Sequence, residues 1–176
     1  MSGHNKFSKI KHQKAANDGK KSKVFGKLVR FITVEAKKSK GDMKSPGLAL
    51  AIEKARKENM PNDTIDRAVK KATTDNSAAM ETAMYEAYGP GGIAILITAL
   101  TDNKNKAAQE VKAILSRHGS ELAAVGSAAW AFEKTHEGWK PTMTMPLEDA
   151  DIAKLHELVE ALEENDEVQD VFTNAE

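Results

Sequence analysis

The chain of 176 residues has no cysteine and carries 26 Lys+Arg against 26 Asp+Glu, so its formal net charge is zero. The lack of cysteine excludes disulfides and Cys-based zinc sites, and no apolar run approaches the roughly 20 residues of a membrane helix. We therefore expect a cytoplasmic protein with no membrane partner. The zero net charge hides a split, because residues 1–75 hold 19 basic against 8 acidic residues and residues 76–176 hold 7 against 18. This division predicts two domains, 1–75 and 80–176, of which the basic one binds nucleic acid.

Lysines are concentrated at the start of the chain and along the first predicted helix. Residues 1–18 have little apolar content and are predicted to form a basic arm. From Gly19 to Lys40, apolar side chains recur with a helical period and basic side chains lie opposite them. Lysine contacts phosphates without reading base sequence, so this face predicts a nucleic-acid interface, although a charged run can also be only a solvated helix face. The predicted contacts are Lys6, Lys9, Lys11, His12 and Lys14 in the arm, and Lys20, Lys21, Lys23, Lys27 and Arg30 in the helix.

Two more amphipathic helices are predicted before residue 75. Ser45 followed by Pro46 is typical of a helix start, and Asn59 ends this helix. The third helix follows Pro61, with Asn62 or Asp63 as its cap. Together the three helices predict a small bundle. Their inward stripes are Phe25, Leu28, Val29, Ile32 and Ala36, then Leu48, Ala51, Ile52 and Ala55, then Ile65, Ala68, Val69 and Ala72.

Beyond residue 80 the hydrophobic period shortens and predicts an α+β domain. Asn103 or Asn105 caps its first helix, which Gly119 ends. Asp149 or Asp151 caps its second helix, whose inward residues are Ile152, Leu155, Val159 and Leu162. The predicted strands are 84–88, 93–100, 128–133, 140–147 and 168–173. The order ββαββαβ predicts an antiparallel-rich α+β sandwich with its helices on one face.

Motifs of nucleophilic or metal-dependent catalysis are missing from the sequence. There is no GxSxG and no HExxH, and His156-Glu157 is followed by Glu160 where a zinc helix needs its second histidine. Acidic residues near 149 are explained by a helix N-terminus. We therefore expect a protein that is not an enzyme, with no catalytic residue, no metal and no cofactor.

Two loops carry residue types that suit either structure or anion binding. The Gly89–Gly92 stretch lacks the GK[ST] ending of a phosphate loop and leads into a strand, so it is either a hairpin turn or a contact loop. The stretch 101–106 places lysines at a helix start, which fits ordinary capping and an anion site equally well. The candidate contact residues are Tyr88, Gly89, Pro90, Gly91 and Gly92, and Thr101, Asp102, Asn103, Lys104, Asn105 and Lys106.

Several motifs spread over the chain carry a family resemblance. They are Gly3-His4-Asn5-Lys6-Phe7, Ile10-Lys11-His12-Gln13-Lys14-Ala15-Ala16, Ala51-Ile52-Glu53-Lys54-Ala55-Arg56, Asn59-Met60-Pro61, Tyr88-Gly89-Pro90-Gly91-Gly92, Leu100-Thr101-Asp102-Asn103-Lys104-Asn105, Leu162-Glu163 and Val168-Gln169-Asp170-Val171. With them the chain resembles the YebC/PmpR family of probable transcriptional regulators, whose relatives include mitochondrial translational activators. The family typically carries a third domain inserted in the α+β domain, and the short connection near 134–139 leaves no room for it here.

The resemblance implies a non-enzymatic regulator of gene expression and leaves its target open. One reading is a DNA-binding transcriptional regulator. The alternative is a ribosome-associated translation factor that contacts rRNA or tRNA and relieves stalls at proline-rich stretches. A pure protein adaptor is a third hypothesis, since the acidic half is suited to docking a basic partner. The sequence gives no oligomeric state.

Overall fold

The structure is a computed structural model that describes residues 18–77 and 79–176, and the side chains from residue 21 onward. The predicted arm contacts Lys6, Lys9, Lys11, His12 and Lys14 therefore lie outside the described residues. The described chain divides into two compact parts. We call Asp18–Glu81 the first unit and Thr82–Glu176 the second unit.

The first unit is a bundle of three helices, as the sequence predicts. Helix α1 spans Asp18–Lys38, α2 spans Pro46–Lys57 and α3 spans Asn62–Thr74. The predicted inward stripes meet in one aliphatic core, with half-buried residues such as Phe25 and Val69 at its edge. The buried core residues are Ile32, Ala36, Leu48, Ala51, Ile52, Ala55, Met60, Ile65, Ala68 and Ala72.

The start of α2 is as predicted, and the cap of α3 differs from the prediction. Ser45 occupies the N-cap of α2 and Pro46 its first turn, but the Ser45 side chain makes no cap hydrogen bond. Helix α3 starts from Pro61, whose carbonyl accepts hydrogen bonds from the amides of Thr64 and Ile65 at 3.0 and 3.2 Å. Neither Asn62 nor Asp63 is the cap, because a proline carbonyl already serves the first amides of the helix.

The second unit is built on a four-stranded sheet in the order β3-β1-β2-β6. Its strands are β1 (Glu81–Tyr88), β2 (Ala94–Thr101), β3 (Glu121–Ala123) and β6 (Val168–Thr173). Strands β1 and β2 are joined through the Gly89–Gly92 turn as a hairpin, while β3 and β6 are antiparallel to β1 and β2. The two helices are α4 (Lys104–Arg117) and α5 (Asp149–Glu164). The fold class is α+β, as predicted.

The two faces of the sheet are covered differently. Ile95 and Ile97 of β2 pack with Val111 and Leu115 of α4 and with the inward residues of α5. On the other face, Leu96 packs with residues of the 128–132 segment. Both helices therefore lie on one face, as predicted, and the second face is closed by irregular chain and a small hairpin. That hairpin pairs β4 (Phe132–Thr135) with β5 (Gly138–Pro141) as a separate two-stranded sheet.

Three details of the second unit differ from the prediction: the number of strands, the bounds of two strands and the cap of α5. The short strand β3 was not predicted, so the order is ββαβββαβ. The predicted strand 128–133 is a 3-10 turn at Ala129–Ala131 followed by β4, and the partner predicted at 140–147 is the shorter β5. Glu148 occupies the N-cap of α5 without a side-chain hydrogen bond, so neither Asp149 nor Asp151 is the cap. The Glu148 carbonyl accepts from the amides of residues 151 and 152, which places Asp149 and Asp151 inside the first turn.

None of the helices in the described part of the chain combines the length and the apolar content that crossing a bilayer requires.

Candidate nucleic-acid interface

The predicted basic face of α1 is open to solvent only at its beginning. Lys21 and Lys23 are exposed, whereas Lys27 and Arg30 are half-buried. Val34 continues the line of residues 23, 27 and 30 and is 3% exposed, although it does not belong to the bundle core. Lys20 lies in α1, but its side chain is not described. Of the predicted helix contacts whose side chains are described, Lys21 and Lys23 are therefore the more accessible, and the contacts themselves stay a prediction.

Further basic side chains, which were not among the predicted contact residues, are exposed on α2 and α3. They are mixed with acidic residues, and Lys57 forms an ion pair with Glu53 at 3.1 Å. Exposed pairs of this kind contribute little to stability and leave the lysine charge partly compensated. The exposed basic residues of these helices are Arg56, Lys57, Arg67, Lys70 and Lys71.

Phe31 lies next to Arg30 on α1, packs against the bundle core and is half-buried. The Lys54 ammonium lies 5.7 Å from the centre of its ring, within the range of a cation–π contact. An aromatic residue at this position suits either base stacking or packing between helices. The contacts of Phe31 with the bundle core favour packing. Phe7 lies outside the described residues.

The Gly89–Gly92 turn is fixed by its own backbone and by the start of α5. The Gly89 amide donates to the Ile93 carbonyl at 2.8 Å, and Gly91 and Gly92 have φ of +67° and +78°. A Cβ at Gly91 would collide with the Leu147 side chain, whereas a Cβ at Gly92 would meet open space. The positive φ of both residues is explained by the turn itself. Only Gly92 has open space beside it, so Gly92 is the glycine that a bound ligand could approach.

The loop 101–106 is a helix start whose cap is made by Asn103. The Asn103 side-chain oxygen accepts a hydrogen bond from the backbone N–H of Lys106 at 3.1 Å. The backbone N–H of Asn103 donates to the Thr101 hydroxyl at 2.9 Å. The Tyr85 hydroxyl donates to the Lys104 carbonyl at 3.3 Å. Burial raises the pKa of Tyr85, and the charge of Glu167 raises it further. Of the two predicted caps, Asn103 is the one used.

Carboxylates of the protein itself already occupy the vicinity of this helix start. The buried Glu167 accepts from the Thr101 hydroxyl at 3.0 Å and lies 3.5 Å from the Lys106 ammonium. Glu110 lies 3.7 Å from the same ammonium. These internal anions make the capping interpretation of the loop stronger than the anion-site interpretation. Asp102, Lys104 and Asn105 are exposed.

A buried carboxylate that the sequence reading missed organises the loop after β3. Glu86 on β1 is 3% exposed and accepts hydrogen bonds from the amides of Gly126, Ala128 and Ala129 at 2.6, 2.8 and 2.8 Å. Burial by itself would raise the pKa of Glu86, but the three backbone donors outweigh it and hold the pKa below its ordinary value. Nothing in a lone strand glutamate predicts these partners, because they lie 40 or more residues away.

Two aromatic side chains are exposed beside this loop. Trp130 is 60% exposed, and its indole N–H donates to the Ser127 carbonyl at 2.8 Å and to the Tyr88 hydroxyl at 3.3 Å. Tyr88 is 38% exposed, and its hydroxyl also donates to the Ser127 carbonyl. Tyr88 was a predicted contact residue and Trp130 was not. Among the described residues, no cluster of His, Asp and Glu has the arrangement of a metal site.

Comparison with protein families decides the affiliation of the chain. The domain described as the TACO1/YebC protein N-terminal domain matches residues 5–75, and the TACO1/YebC second and third domain matches residues 80–138 and 134–175. The chain belongs to the TACO1/YebC family. The family resemblance noted in the sequence is thereby confirmed.

Relatives of the family from three bacteria are each named probable transcriptional regulatory protein. The protein of Fervidobacterium nodosum is 38% identical over 235 aligned positions, which cover 99% of this chain and 93% of that protein. The Petrotoga mobilis protein is 45% identical, with coverage of 100% and 71%. The Thermosipho africanus protein is 52% identical, with coverage of 76% and 54%, so this match spans about half of that relative.

A solved structure shares the fold of the TACO1/YebC chain described here. It is the crystal structure of a conserved hypothetical protein from Aquifex aeolicus, with a TM-score of 0.78, 28% identity and coverage of 90% of this chain and 91% of that one.

The family comparison also bears on the predicted missing domain. The second family model matches in two segments, which overlap at residues 134–138. These residues are the end of β4, the turn after it and the first residue of β5. The Fervidobacterium alignment covers 235 positions although this chain has 176 residues, so that relative has residues that are missing here. The absence of an inserted domain near 134–139 in this TACO1/YebC chain stays a prediction.

Proposed function

We propose that the chain is a non-enzymatic, nucleic-acid-binding regulator of gene expression whose basic residues 1–75 contact phosphates. The observation that carries the proposal is the charge split, with 19 basic against 8 acidic residues in this part of the chain. Lys21 and Lys23 at the exposed start of α1 are the described residues best placed to add to the arm. The names of the relatives favour DNA and transcription as the first target.

Binding of this kind depends on charge rather than on base sequence. Of the 19 basic residues in 1–75, three are arginines, and lysine contacts phosphates as a point charge without the bidentate readout of guanine that arginine gives. The acidic second half repels phosphates, so we expect the phosphate contacts to come from the basic part. We therefore expect little sequence preference.

The second candidate is a ribosome-associated translation factor that contacts rRNA or tRNA. The same predominance of lysine favours it, because folded RNA is recognised mainly through phosphates, 2′-hydroxyls and shape. Sedimentation of DNase-treated lysate at physiological salt distinguishes the two candidates. Co-migration with ribosomes makes translation the primary function, and a protein that stays at the top of the gradient favours transcription.

Charge reversal tests the proposed interface directly. Replacing Lys9, Lys11, Lys20 and Lys23 by Glu is expected to abolish binding to DNA and RNA without changing the thermal melting of the protein. The matched control reverses four lysines of the second unit, all exposed, and is expected to retain binding. Those control lysines are Lys112, Lys134, Lys140 and Lys154. Unchanged retention of the first variant on nucleic acid would exclude this face as the site.

A further inference from the structure

The two exposed aromatic side chains of the second unit, Tyr88 and Trp130, are linked to each other and to one backbone carbonyl by hydrogen bonds. The Trp130 indole N–H and the Tyr88 hydroxyl both donate to the Ser127 carbonyl, and the indole also reaches the Tyr88 hydroxyl. The polar atoms of both rings are thus engaged within the protein, while 60% of Trp130 and 38% of Tyr88 stay exposed to a ligand. We call Tyr88 and Trp130 the aromatic platform.

The aromatic platform is held in place by buried hydrogen bonds. Glu86, two residues before Tyr88 on β1, binds the amides of Gly126, Ala128 and Ala129 on either side of Ser127. The segment that carries Trp130 is thereby attached to the strand that carries Tyr88. A preorganised surface loses less conformational entropy when it binds a ligand than a mobile one does.

The segment that carries Trp130 is apolar and uncharged, which is unusual in this chain. Residues 122–132 contain no charged side chain, although 30% of the chain is charged. Val125 in the same segment is 95% exposed. An exposed apolar segment of this kind is typical of a binding surface.

We propose that the aromatic platform stacks an unpaired base of single-stranded nucleic acid. Stacking on exposed Trp and Tyr rings is the usual way in which proteins hold unpaired bases, and it tolerates any base because every base has a π-face. The inference rests on the proposed function, because it needs a nucleic-acid ligand. Glu121, in register with Tyr88, is acidic, so the platform contributes stacking and no attraction for phosphates. A stable protein interface needs about 20–30 residues on each side, whereas two rings match the size of one or two bases.

Replacement of Trp130 by Ala tests the stacking. We expect the affinity for a single-stranded RNA oligonucleotide to fall roughly 5- to 150-fold, and the affinity for its duplex to stay unchanged because duplex bases are already stacked. Trp130→Phe keeps a ring and is expected to retain most of the affinity. Binding is also expected to quench tryptophan fluorescence in the unmodified protein, and this quenching should be lost in Trp130→Phe, which leaves Trp139 alone.

Val125→Ala is the matched control, because it removes exposed apolar surface from the same segment without removing a ring. It is expected to leave the affinity for single strands unchanged. Equal losses in Val125→Ala and Trp130→Ala would overturn stacking in favour of general apolar docking, such as a partner protein. A Trp130→Ala variant that binds single strands as well as the unmodified protein also overturns it. Failure of the unmodified protein to bind any nucleic acid is a different result, which removes the proposed function and the stacking with it.

Discussion

At the scale of single residues, Glu86 shows how one buried charge determines local structure. Its carboxylate replaces lost hydration with three backbone N–H donors. Gly126 and Ala128 belong to a segment with no helix or strand, and Ala129 begins the 3-10 turn that follows it. Without this anion the three amides would be left without their acceptor. The irregular chain beside β1 is therefore specified by a side chain of the strand.

Glu86→Gln is expected to destabilise the protein by about 1–3 kcal/mol at neutral pH, because an amide group presents N–H to backbone donors. The folded pKa of Glu86 lies below its ordinary value of 4.5, so its contribution is present above that value and is lost as pH falls through the folded pKa. Urea denaturation at neutral and at acidic pH measures this. The difference between variant and unmodified protein should shrink in acid.

Glu121→Gln provides the control for this change. Glu121 is an exposed carboxylate on β3, in register with Tyr88, and its replacement is expected to alter stability little at either pH. A constant difference for Glu86→Gln across the pH range would contradict the ionised, hydrogen-bonded state of Glu86.

At the scale of elements, the two glycines of the β1–β2 turn share a backbone conformation but differ in their surroundings. Both Gly91 and Gly92 have positive φ, which costs a residue with a Cβ about 1–2 kcal/mol. Gly91 alone also lies against the Leu147 side chain, which leads into α5. The turn therefore connects the hairpin to the helix that covers it.

Gly91→Ala is accordingly expected to lower stability more than Gly92→Ala, because the first variant adds a collision with Leu147 to the same backbone cost. Thermal melting of the two variants measures the difference. Equal melting temperatures would show that Leu147 adjusts freely. A Gly92→Ala variant that melts near the expected temperature but binds nucleic acid poorly would support the contact-loop interpretation of this turn.

Elements with strong periodicity were predictable from the sequence, and elements defined by distant contacts were not. The three helix stripes and β6 follow the predicted residues because an amphipathic period encodes the buried face. Strand β3 has three residues and exists through pairing with β1, so its own sequence carries no comparable signal. The predicted cap was wrong where several acidic residues are adjacent, as at 148–151, and was right at Asn103.

The candidate site was predictable only in part, for the same reason. Lysine clustering identifies residues 21 and 23 from composition alone. The burial of Val34 further along α1 depends on tertiary structure. The exposure of Trp130 and the hydrogen bond of its indole N–H depend on it as well. Charge can be predicted from the local sequence, whereas burial that does not follow an amphipathic period cannot.

At the scale of the whole molecule, the opposite charges of the two halves imply that binding is governed by ionic strength. Each phosphate that a lysine neutralises releases condensed counterions, so the logarithm of the affinity falls linearly with the logarithm of the salt concentration. A contact surface of about six lysines would lose roughly 10³-fold in affinity between 50 and 200 mM salt. A neutral net charge does not weaken this expectation, because the acidic residues are concentrated in the other half of the chain.

Replacing Lys9, Lys11, Lys20 and Lys23 by Gln is expected to reduce the slope of this salt dependence by about 3, since each lost contact removes roughly 0.7–0.9. Trp130→Ala is expected to lower the affinity for single strands at every salt concentration and to leave the slope unchanged, because stacking releases no counterions. Titrations of both variants over a range of salt measure the two contributions separately. An unchanged slope in the lysine variant would show that these lysines do not neutralise phosphates, and a reduced slope in Trp130→Ala would show that the platform acts through the electrostatic contacts.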